Sequence, residues 1–217
     1  MAYPGQKTFG FGGRFDFPQK IKQGQELWVR AYIYYPPGFD YTAGGVGLKT
    51  FRVHLRKADA SQPGYVDLLT SGGSLTAGLE IWTGEDRVTK GVGTKAPHGK
   101  WQALEIYVKF HSTPGKGIYR VWQDKILVYE KTDKETLVDP GGYADFFLLY
   151  SFWNRTKTGI NADGAPKRQN SYVDNIVITT DTPLQKDAKG NRMIGLIEGV
   201  SVPIKPAPKG PVLNSVK

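Results

Sequence analysis

Two short strings put chemically active side chains two residues apart. Arg52 and His54 stand in TFRVHLR (50–56), and Tyr107 and Lys109 stand in EIYVKF (105–110). In an extended strand, residues i and i+2 share a face, so each string presents its pair to one side. A guanidinium, an imidazole, a phenol and an ammonium can together neutralise a carboxylate and remove the proton beside it. In that scheme Arg52 neutralises, His54 or Tyr107 is the base and Tyr32 or Tyr119 the acid, while Lys49 and Lys109 add positive field. Drawn on one sheet, Arg52, His54, Tyr107 and Lys109 point off a single polar side. The same residue types are also ordinary on a solvated strand, where they make surface hydrogen bonds and where Tyr has high propensity.

The elements that must carry these side chains announce themselves by alternation. In Glu26–Tyr34, Leu27, Val29, Ala31 and Ile33 alternate with Trp28, Arg30, Tyr32 and Tyr34. Thr50–Arg56 and Gln102–Phe110 repeat the pattern, so one apolar face and one polar, aromatic face open to solvent are expected. Gly117–Glu130 reads as a hairpin turning at Asp124 and Lys125, with Lys where Gly is the favoured second residue. Asp145–Phe152 and Ser171–Thr180 supply further strands, Leu68–Leu69 and Leu79–Trp82 short edge strands, and Asp133–Val138 one helical turn. Twenty-seven Gly and 14 Pro in 217 residues suit many short strands in one all-β sandwich.

Other chemistries find less support. With no Cys, disulfides and thiolate metal sites are excluded. His98 and His111 lack partners at zinc spacing. Asp139–Asp145 and Asn161–Asp163 are oxygen-rich loops but lack the dense alternating carboxylates of a dedicated calcium site, so no cofactor is expected and calcium is the alternative. Glu105 with Glu80 or Asp124 makes a glycosidase pair only if the carboxyls approach about 5 Å. Gly10–Gly13 is followed by no helix, which argues against a phosphate cradle. Trp28, Trp82, Trp101 and Trp122 read as core or core-edge, and Trp153 beside Asn154 as an exposed platform for a sugar ring. The net charge of +9 points to a polyanionic partner, an acidic polysaccharide or a negative protein shell. Its interspersed cations argue against nucleic acid. No apolar run approaches the roughly 20 residues of a membrane span.

Specific strings go further than periodicity. LWVRAYIYYPPGFD (27–40) followed by GGVGLKTFRVH (44–54) resembles the opening of the polysaccharide-lyase-like, alginate-lyase-like jelly rolls of the concanavalin A-like class. GKWQALEIYVKF (99–110), GIYRVWQD (117–124), YSFWN (150–154) and YVDNIVITT (172–180) resemble their central and closing strands. The resemblance implies a two-sheet antiparallel jelly roll over 25–183, with a concave sheet able to hold an extended sugar chain. It also implies the reaction an enzyme of this type would run, β-elimination on a uronic acid. The chain departs from the best-known alginate-lyase pattern: its tight Arg-x-Glu-x-Arg, Gln-Ile-His and Tyr-Lys-Ala-Gly strings are absent.

Residues 1–24 and the basic, Pro-bearing residues 184–217 are expected to be arms outside the sandwich. Those arms, and the resemblance to jelly rolls of bacteriophage particles, favour a non-enzymatic virion protein of capsid-decoration or fibre type. In that reading the arms contact neighbouring subunits of a homo-oligomer or shell. The alternative is a carbohydrate-binding module or lyase acting on an acidic glycan, secreted or periplasmic if a leader has been removed. Its binding residues would be Arg30, Tyr32, Arg52, His54, Tyr107, Lys109, Trp153 and Asn154, and its catalytic residues Arg52, His54, Tyr107 and Lys109.

Overall fold

A computed structural model describes residues 12–41, 48–81, 88–150 and 169–197. Eleven antiparallel strands form two stacked sheets, and no helix occurs among the described residues. The six-stranded sheet runs β1(Gly13–Lys22), β10(Tyr143–Leu149), β3(Leu48–Arg56), β4(Gly64–Ser71), β5(Ser74–Ile81) and β6(Val88–Lys95). The five-stranded sheet runs β11(Tyr172–Thr179), β2(Glu26–Tyr34), β7(Trp101–Lys109), β8(Ile118–Gln123) and β9(Ile126–Lys131). This is the expected all-β jelly-roll sandwich.

Period-two alternation builds the core between the sheets. Phe51, Val53, Leu55, Val66, Leu68, Phe147 and Leu149 from the larger sheet meet Leu27, Val29, Ala31, Ile33, Leu104, Ile106 and Val108 from the smaller one. Register is therefore pinned, because a one-residue slip would turn each apolar set outwards. The β8–β9 turn places both Asp124 and Lys125 at positive φ (50° and 70°), the type I′ geometry that matches strand twist. The Asp124 carboxylate secures it by accepting the Ala103 amide at 2.8 Å.

Several sequence expectations are corrected. Gly13–Lys22, assigned to an arm, is an edge strand paired with β10. The weak signals at Leu68–Leu69 and Leu79–Ile81 belong to eight-residue strands inside the larger sheet, where Asp67, Thr70 and Gly78 interrupt apolar runs without ending the ladder, and Trp82 lies outside the described residues. Asp133–Val138 forms bends, with no helical turn. The outer faces of β2 and β7 are not open to solvent: Arg30, Glu105 and every aromatic ring on them are buried. Residues 184–197 cause this by lying across the outer face of the five-stranded sheet.

Candidate functional site

The two predicted pairs do not share a face. Arg52 and His54 project from β3 on the outer side of the six-stranded sheet, whereas Tyr107 and Lys109 belong to β7 in the other sheet. The core lies between, because Val53 and Ile106 both point into it. Arg30 and Tyr32 of β2 side with Tyr107, and Trp153 and Asn154 lie outside the described residues. The proposed acids move as well. The Tyr119 hydroxyl is buried and donates to the Asp67 carbonyl at 2.7 Å, and the Tyr32 hydroxyl accepts the Ile197 amide. Glu80 and Glu105 sit on opposite sheets, so they form no glycosidase pair.

What the six-stranded sheet does assemble is a row of buried charge on β3, β4, β5 and β10. Arg52 donates twice to Asp67, at 2.8 and 2.9 Å, and its guanidinium lies 3.7 Å from Glu80 and 3.8 Å from the centre of the Tyr65 ring. Asp67 is fully buried, which pushes its carboxyl up while Arg52 pulls it down. His54 stacks on Phe146 at 4.1 Å and meets Tyr65 edge-on. Its Nδ1 lies 2.7 Å from Asp145, whose other oxygen accepts from Arg56 at 2.9 Å. An ionised carboxylate only accepts, so Nδ1 carries a proton towards Asp145, and Nε2 makes no hydrogen bond among the described residues. Half-buried Tyr65, on the neighbouring strand, has a hydroxyl that makes no hydrogen bond among the described residues.

Asp145, Asp67 and Tyr65 were missed in sequence. A lone carboxylate inside YADFFLL and another inside GYVDLLTS were the available signals, since a charge within an apolar strand needs a partner. Asp145, considered for calcium, is engaged with His54 and Arg56, and among the described residues no three His or acidic groups come together to hold a metal.

The five-stranded sheet carries a different arrangement. Glu105 accepts the Ile194 and Gly195 amides at 2.6 and 2.9 Å, and Arg30 donates to the Gly195 carbonyl at 3.1 Å. Burial pushes the Glu105 carboxyl up to about 7, against the two amides and Arg30. Met193 is buried among Trp28, Tyr107 and Trp122. These tryptophans are buried, as expected, but beneath residues 184–197 and not between the sheets.

No family model matches the chain, and no curated protein matches it in sequence. Solved structures do match in shape. An endo-β-1,4-glucuronan lyase from the fungus Trichoderma reesei superposes with a TM-score of 0.58 at 13% identity, over 82% of this chain and 78% of that one. A family 7 alginate lyase gives 0.57 at 9% identity over 83% and 75%, and an alginate lyase from Chlorella virus gives 0.53 at 13% over 73% and 72%. The fold is that of the polysaccharide-lyase jelly rolls. At such identities the likeness concerns the fold alone, and residue roles in this chain must come from its own geometry.

Proposed function

We propose that the outer face of the six-stranded sheet binds an acidic polysaccharide and cleaves it by β-elimination. The observation that carries this reading is the Asp145–His54 pair, with the Tyr65 ring edge-on to the imidazole and Arg52 and Arg56 flanking it along β3. β-Elimination breaks the bond from the α-carbon to its proton and the bond from C4 to the leaving oxygen, and it forms a C4–C5 double bond. His54 Nε2 takes the proton, Tyr65 returns one to the leaving oxygen and Asp145 holds the imidazole in the working tautomer. Arg56, more exposed than Arg52, is the cation placed to meet the uronate; Arg52 is occupied by Asp67 and Glu80. The lyase-type fold supports the reading, as does a second sheet whose outer face is already covered by the chain itself.

Incubation with glucuronan or alginate should raise the ultraviolet absorbance of unsaturated uronates. Asp145→Asn should lower that rate by about a hundredfold or more, as expected for loss of a base's orientation. Retained rate in His54→Gln would overturn the assignment. Saturable binding without any absorbance rise would reduce the site to a binding face. The virion reading of the arms stands on composition and resemblance alone, and part of the C-terminal arm is spent on the chain's own sheet.

A further inference from the structure

Along β2 and β7 the outward residues pair in register: Trp28 with Tyr107, Arg30 with Glu105, Tyr32 with Ala103, Tyr34 with Trp101. Residues 192–197 run along this row in chain order. The Trp28 indole donates to the Arg192 carbonyl at 3.2 Å, and Met193 fills the pocket of Trp28, Tyr107 and Trp122. The Ile194 and Gly195 amides reach Glu105, the Gly195 carbonyl takes Arg30, and the Ile197 amide reaches the Tyr32 hydroxyl at 3.2 Å. Leu196 and Ile197 close the row over Tyr34 and Trp101. These hydrogen bonds run from sheet side chains to strap main chain, with none of the ladder pairing of an added strand. The face therefore reads an extended backbone, with one deep pocket for Met193 and a positive φ (71°) that favours Gly at 195.

The tether is slight. Thr180, Asp181, Thr182 and Leu184 are exposed, Leu184 at 88%. A groove that recognises main chain and one methionine does not distinguish its own strap from the identical strap of another molecule. Moving the strap between copies keeps every contact above and changes only the tether, the low-cost route to a swapped dimer.

We propose that the outer face of the five-stranded sheet is a peptide-binding groove that takes residues 184–197 of a second copy by exchange as well as its own. The tethered strap sees its groove at roughly millimolar effective concentration, so exchange shows itself when the tethered seat is blocked or the protein is concentrated. This concerns a different face from the proposed lyase site and stands or falls separately.

The test is complementation between two full-length chains. Met193→Asp with Gly195→Val spoils the strap and leaves the groove; Glu105→Arg spoils the groove and leaves the strap. Each alone should be monomeric by light scattering, and an equimolar mixture should form a one-to-one heterodimer. A mixture that stays monomeric while both chains are folded overturns the proposal. If either variant fails to fold, the wild-type chain decides. Refolded at rising concentration, it should yield a dimer fraction that excess synthetic 184–197 peptide suppresses, and a monomer at all concentrations overturns the exchange.

Discussion

Replacing Glu105 by Gln removes a carboxylate that accepts two amides and faces Arg30, and the structure predicts that the variant gains on the parent as pH rises. The carboxyl's folded value of about 7 lies above its ordinary 4.5 because burial between β7 and the strap disfavours the charge more than the amides and Arg30 restore. A raised folded value contributes stability that is fully present below about pH 4.5 and lost as pH rises through 7. The gap of about 2.5 pH units corresponds to about 3 kcal/mol. Gln is uncharged like the protonated form, but its Nε2 cannot accept the amide that one carboxyl oxygen takes, so the variant should lie below the parent near pH 4.5 by about 1–3 kcal/mol. Between pH 4.5 and 8 the variant should gain on the parent by up to about 3 kcal/mol. For a chain of this size that relative gain is a shift in melting temperature of about 6–12 °C. Paired thermal melts across pH 4.5–8 isolate the effect, since every other titrating group is common to both proteins. A difference that stays flat across the window, or one that moves against the variant as pH rises, would refute the burial argument.

Three further outcomes follow from the packing. Arg52→Met leaves the buried Asp67 and nearly buried Glu80 without their shared cation and should cost about 3–5 kcal/mol in urea unfolding. Tyr119→Phe removes the hydroxyl bond to the Asp67 carbonyl across the core and should cost about 1–3 kcal/mol, read from the same unfolding curves. Lys125→Gly relieves a side chain at φ 70° in the β8–β9 turn and should add up to about 1 kcal/mol, seen as a higher unfolding midpoint.

The strands with clean alternation, β2, β3 and β7, were legible because period two and high strand propensity coincide there. β4 and β5 were hard to see, since Asp67, Thr70 and Glu80 replace apolar residues on a face that stays buried through ion pairs. The assignment of Arg52 and His54 to one face and of Tyr107 and Lys109 to another depends on which strands share a sheet, and local pattern carries no such information. The partner of His54 lies 91 residues away in Asp145 and was visible only as an odd charge in an apolar run. The docking of Met193 was hidden because an irregular, Pro-flanked segment has the same composition whether it is loose or laid against aromatic rings.

The connectivity of the sheets also sets an order in time. Among the described residues, strand β1 finds its only ladder partner in β10, and β2 waits for β11 to complete its second side. During synthesis the first two strands therefore emerge with unsatisfied edges long before their neighbours exist. Such non-local pairing folds slowly and leaves sticky intermediates exposed. A chain stalled before residue 143 lacks the closing strand of one sheet and the cover of the other. Truncated products of this protein are expected to aggregate, although in the finished molecule residues 184–197 cover the outer face of the five-stranded sheet.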